Sequence, residues 1–114
     1  MITLWHNPRC SKSRAALALL KDAGADVVVR RYLEDAPSAE EISELQEMLG
    51  MPSVRAMMRT GEKVFKEMAL GPDTPDAALI AAMVAHPILI ERPVAIKADR
   101  AVIGRPPETV LDLV

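Results

Sequence analysis

A chain of 114 residues, half of them apolar, is long enough for one compact domain with a hydrophobic core and leaves little for a second. Its 14 basic and 16 acidic residues are interleaved and sum to a net charge of -2, which argues against a polybasic nucleic-acid surface and against an acidic tail. The single cysteine excludes an internal disulfide, leaves stability to packing and points to a reducing compartment.

Ile2, Thr3, Leu4 and Trp5 form a short apolar run of strand type, with Trp5 packing beside it, and lead straight into polar His6-Asn7-Pro8-Arg9. There is neither a basic leader nor a long apolar region, so a cytoplasmic location is expected. Asn7-Pro8 forces a turn, and helix-forming residues begin at Ser11, which places Cys10 where a strand hands over to a helix. Ala16, Leu17, Leu20 and Ala23 recur at helical spacing, and Gly24 supplies a left-handed stop. Val27, Val28 and Val29 then run into Arg30, Arg31 and Tyr32 as a second strand, expected to be buried and parallel to the first.

Ser38 with Glu41 is a capping-box pair, followed by Ile42, Leu45, Met48 and Leu49 on one face and by Gly50, which together predict a helix. Helical turns are expected over residues 54–58, 62–70 and 75–85, opened by Pro52 and Pro75 and closed by Gly71-Pro72. Met57 and Met58 read as flexible core filling. The most apolar stretch, residues 77–90, is broken by His86 and Pro87 and is too short to cross a bilayer. After Pro93, residues 94–97 and 101–103 are strand-like around a tight turn at Ala98-Asp99-Arg100, and Pro106-Pro107 opens a last helix over Val110 and Leu111. This order is that of an α/β, thioredoxin-like mixed sheet flanked by helices: a single domain over residues 1–114 carrying a helical insert at 38–86.

A lone cysteine in a cytosolic domain is ordinarily a small buried hydrophobe. Cys10 instead stands in a polar, proline-containing turn beside His6, Arg9, Lys12 and Arg14, at the positive end of a helix, where a thiolate is favoured. The same helix start offers the amides of Ser11, Lys12 and Ser13, with the Ser13 hydroxyl as a further donor, to a tetrahedral oxyanion. Arg59 before Thr60-Gly61, Arg92 before Pro93 and Arg105 before Pro106-Pro107 are each ordinary surface charges taken singly. Held on rigid turns, however, their guanidinium forks match an oxyanion.

The run from His6 to Arg14 resembles the active-site loop of the glutaredoxin-coupled arsenate reductases, and Arg59-Thr60, Glu91-Arg92-Pro93 and Gly104-Arg105-Pro106 resemble that family's later motifs, in order along almost the whole chain. Well-known members carry Gly-Thr after the cysteine where this chain has Ser11-Lys12, as in a less characterised subgroup. The resemblance implies that Cys10 attacks arsenate, that Arg59, Arg92 and Arg105 bind the oxyanion, that Arg92-Pro93 is a cis-proline segment, and that glutathione is co-substrate with glutaredoxin as partner. His6 is expected to tune the thiolate, with Ser11, Lys12, Ser13 and Arg14 around the substrate, and with no bound cofactor, metal, nucleic acid or membrane.

Other classes remain open at this point. Cys10-Ser11-Lys12-Ser13 can be read as the Cys-x-x-Ser site of a monothiol glutaredoxin-like protein. Spx-type thiol-sensing regulators share the fold, but Ser13 stands where their switch needs a second cysteine. A phosphatase-type cysteine phosphate loop, by contrast, is excluded on spacing, since it needs arginine where this chain has Ala16 and Arg14 falls too early. His6 and His86 are far apart in sequence, and His86 before Pro87 reads as a helix cap or a surface residue rather than a metal ligand.

Overall fold

The computed structural model describes residues 1–114, and its backbone contacts divide them into two compact units, Met1–Asp35 with Arg92–Val114, and Ala36–Glu91. The second unit contains the stretch read above as an insert, residues 38–86, and extends it to Glu91.

The first unit is a four-stranded mixed sheet in the order β2-β1-β3-β4, with β1 at Ile2–Trp5, β2 at Val27–Arg30, β3 at Val94–Lys97 and β4 at Arg100–Ile103. Helix α1, Ser11–Asp22, makes the crossover that lets β1 and β2 run parallel, whereas β1-β3 and β3-β4 are antiparallel. Leu4, Ala16, Leu20, Ala95, Val110 and Leu113 pack into one core cluster with Ile2, so helix α1 and the carboxyl-terminal segment cover the same sheet. Trp5 is 3% exposed, and the Arg30 guanidinium lies over its ring, 5.4 Å from the centroid.

Two expectations for this unit need correction. The valine run β2 is an edge strand rather than a buried one, with Val28 and Val29 exposed, because nothing pairs with its outer side. The last element, Pro107–Leu113, is a 3-10 helix, so its inward positions are Val110 and Leu113, and Leu111 faces out.

In the second unit, α2 spans Ala39–Leu49, α3 Lys63–Glu67 and α4 Asp76–Ala85, with 3-10 turns at Val54–Met57 and Pro87–Leu89. Both halves of the Ser38/Glu41 capping box form, and α2 stops at Gly50 with φ 67°. Helix α2 packs on α4 and on the Val54–Met57 turn, burying Ile42, Leu45, Val54, Met57, Leu79 and Met83. Ser53 Oγ donates to Asp76 Oδ1 at 2.8 Å, tying the turn to the start of α4. Helix α3 is shorter than the sequence suggests, because Ala69 takes a left-handed φ of 53°. No helix is long and apolar enough to cross a membrane.

Candidate active site

The turn between β1 and α1 is built around Asn7. His6 N donates to Arg30 O at 2.8 Å, carrying the β1-β2 ladder one residue past the strand. Asn7 Oδ1 then accepts from Arg9 N at 3.0 Å and Asn7 O from Cys10 N at 3.0 Å, closing the chain around Pro8. Arg14 Nη1 donates to Pro8 O at 2.9 Å, so this expected substrate ligand braces the turn from the helix side. Cys10 is the N-cap residue of α1, with φ -93° and ψ 123°; its carbonyl accepts the first helical bond, from Arg14 N, and its side chain caps nothing. The half-buried sulfur therefore stands at the amino end of α1, where the exposed residues Ser11 and Lys12 begin the helix.

His6 and Ser13 form a buried pair beneath this turn. His6 Nδ1 lies 2.6 Å from Ser13 Oγ, and Asn7 N donates to the same oxygen at 3.1 Å. The pKa of His6 is lowered by burial and then by the positive charges of Arg31, Arg14 and Lys21, so the ring is neutral at neutral pH. With a neutral ring, the proton arrangement that satisfies all three groups has the Ser13 hydroxyl donating to Nδ1 while accepting from Asn7. Two expectations change as a result. Ser13 is fully buried, and its hydroxyl is committed to the loop instead of to an oxyanion. His6 spends Nδ1 on Ser13 rather than on Cys10 and so acts through the shape of the turn.

Arg92 and Arg105 are brought together by the β3-β4 hairpin. Its register pairs Val94 with Ile103, and continuing it outward sets Pro93 opposite Gly104 and Arg92 opposite Arg105. Gly104 N donates to Pro93 O at 2.8 Å and Arg105 Nε to Arg92 O at 2.9 Å. Both Arg92-Pro93 and Arg105-Pro106 are cis. Because Trp5 pairs with Val94, this arginine pair lies at the end of the sheet where β1 gives way to the Cys10 turn. Arg59 belongs to the second unit, where its main chain is pinned by Arg59 N to Leu89 O at 2.7 Å. Its guanidinium meets Glu62 at 2.5 Å and Glu91 at 3.9 Å.

On the other flank of the Cys10 turn, toward β2, lies a cavity of about 240 Å³ lined by His6, Asn7, Pro8, Arg9, Arg31, Leu33 and Glu34.

A family model described as the ArsC family matches residues 5–113. The chain belongs to the ArsC family. An arsenate reductase of Haemophilus influenzae is 43% identical over 98% of this chain and 97% of its own length. The uncharacterised protein YfgD of Escherichia coli is 46% identical over 99% of this chain and 96% of its own. Among solved structures, an arsenate reductase from Vibrio cholerae superposes with a TM-score of 0.95 at 48% identity, covering 99% of this chain and 97% of that one. The thioredoxin-like mixed sheet flanked by helices is thus the fold of this ArsC-family chain.

Three residues shape this ArsC-family site in ways that the sequence does not show. The sequence marks Asn7 as a turn former, and the bond of Arg9 N to its Oδ1 shows the side chain itself closing the turn. Gly104 stands where an added Cβ would lie 2.7 Å from Pro93 Cγ and 3.0 Å from Val110 Cγ1, a close approach that its motif alone does not announce. Arg31, which continues the valine strand in sequence, lies just beyond β2, and nothing local marks it as lining a cavity beside the cysteine turn.

Proposed function

We propose that this chain is an arsenate reductase that uses the Cys10 thiolate, with glutathione and glutaredoxin as the source of electrons, in the reducing cytoplasm. The observation that carries the reading is Cys10 itself, a half-buried sulfur at the N-cap of α1 that is not spent on capping, beside the helix's leading amides. The activity named for relatives matched along nearly their full length supports it.

In this mechanism the thiolate attacks arsenic, a sulfur–arsenic bond forms, and an arsenate oxygen departs as water after taking up protons. The amides at Ser11 and Lys12, together with Arg92 and Arg105, neutralise the remaining oxygens. His6, Ser13 and Arg14 hold the turn that presents the sulfur. Arsenic gains two electrons on going from arsenate to arsenite, and a single cysteine cannot supply them by closing its own disulfide. Two external thiols do so. Glutathione displaces a second arsenic oxygen as water, and the glutaredoxin thiolate attacks the arsenic-bound glutathione sulfur, so that the two leave as one glutathione–glutaredoxin disulfide and their electron pair stays on arsenic. Water then hydrolyses the Cys10–arsenic bond to release arsenite and restore the thiol.

Purified protein given arsenate, glutathione and glutaredoxin should release arsenite, and Cys10→Ser should release none. Equal release by both proteins would remove Cys10 from the mechanism, and no release by either would remove the activity.

A further inference from the structure

The Cys10 turn has two flanks, and the proposed mechanism uses only one. In the strand order β2-β1-β3-β4, Arg92 and Arg105 stand on the β3-β4 side. The cavity of about 240 Å³ stands on the β2 side, between the turn and the residues that leave β2. Because β1 and β2 are parallel, Arg31, Leu33 and Glu34 leave the sheet at the same end as His6, Asn7, Pro8 and Arg9. The loop after β2 is fixed by a turn, Glu34 N to Arg31 O at 3.0 Å, so these side chains sit on defined backbone.

The residues that line this cavity include two arginines, Arg9 and Arg31, one glutamate, Glu34, and the apolar Pro8 and Leu33. The complement of that pattern is a molecule with two carboxylates, one ammonium and a short apolar stem. Glutathione has that charge set. Arg9 also immediately precedes, in the chain, the residue that carries the sulfur.

We infer that this cavity is the docking site of the thiol co-substrate, in which Arg9 and Arg31 hold the carboxylates of glutathione and Glu34 holds its ammonium. The inference rests on the reductase reading for its ligand. It adds that reductant and oxyanion approach the Cys10 turn from opposite flanks, the reductant from the β2 side and the oxyanion from the β3-β4 side. The two substrates then do not compete for one set of arginines.

The test uses S-methylglutathione, which keeps both carboxylates and the ammonium but has no free thiol, so binding is read without turnover. Titrated into the isotope-labelled full chain, it should shift the amide resonances of Arg9, Arg31, Leu33 and Glu34 saturably. Arg31→Ala, an exposed substitution, should weaken binding by about tenfold. N-acetylation of the ligand removes its ammonium; it should weaken binding to the parent protein and leave binding to Glu34→Gln unaffected. In the coupled assay Arg31→Ala should raise KM for glutathione and leave KM for arsenate within about twofold. Saturable shifts at these amides that are lost in Arg31→Ala uphold the site even where no arsenite is released, in which case only the reductase reading falls. Shifts confined to other residues, or unchanged affinity in Arg31→Ala, overturn the site even where arsenite release is robust.

Discussion

His6 is held neutral by burial first and then by Arg31, Arg14 and Lys21, and neutrality is what allows its Nδ1 to accept from Ser13. The folded pKa lies below the unfolded one, so the unfolded chain binds the extra proton as pH falls. The stabilisation is therefore fully present above the unfolded value of 6.5 and is lost as pH drops through the lower folded value. Denaturant midpoints measured from about pH 8 to about pH 5 should fall on the acid side, and His6→Gln should flatten that fall. Ser13→Ala leaves the buried Nδ1 without its donor and should cost about 1–3 kcal/mol. A flat pH profile in the parent protein would contradict the assignment. The sequence offers both residues as candidates for the site, but with contacts to substrate and sulfur. Their bond to each other depends on how α1 folds back over the turn, which no spacing rule encodes.

Among the elements, three helices end in the same way, and only two of the endings are legible. Helix α1 stops with Gly24 at φ 77° and bonds from Ala25 N to Leu20 O and from Gly24 N to Lys21 O. Helix α2 does the same at Gly50, and α3 at Ala69, with Leu70 N to Phe65 O and Ala69 N to Lys66 O. Glycine announces the first two, whereas alanine is a helix former and hides the third, so the sequence predicts α3 as far as Leu70. An L-residue in that conformation costs roughly 1 kcal/mol, so Ala69→Gly should raise stability by up to about 1 kcal/mol, seen as a higher denaturant midpoint. The β3-β4 hairpin carries the opposite case. An added Cβ at Gly104 meets the Pro93 ring at 2.7 Å, and a proline ring has little room to move. Gly104→Ala should therefore cost about 1–3 kcal/mol. Since the backbone bond of Gly104 to Pro93 is followed directly by the side-chain bond of Arg105 to Arg92 O, that substitution should also reduce arsenite release in the coupled assay more than a surface change does.

At the scale of the whole molecule, the chain leaves the first unit after Asp35 and returns to it at Arg92, so that unit is built from both ends of the sequence. Its sheet places residues from four separate stretches at one end: the Cys10 turn after β1, the loop after β2, Arg92 before β3 and Arg105 after β4. The sequence by itself determined the order and type of the elements, the capping box, and the cysteine at the start of a helix. Those signals are local, arising from residues within a turn or two of one another. Only the tertiary structure decided that the valine strand is an edge, that Ser13 is buried against His6, that Arg105 braces Arg92, and that Arg31 shares a cavity with Arg9. Each of these is fixed by strand order and by which segments meet after the chain has closed loops of many residues, and that information is carried by the packed core as a whole.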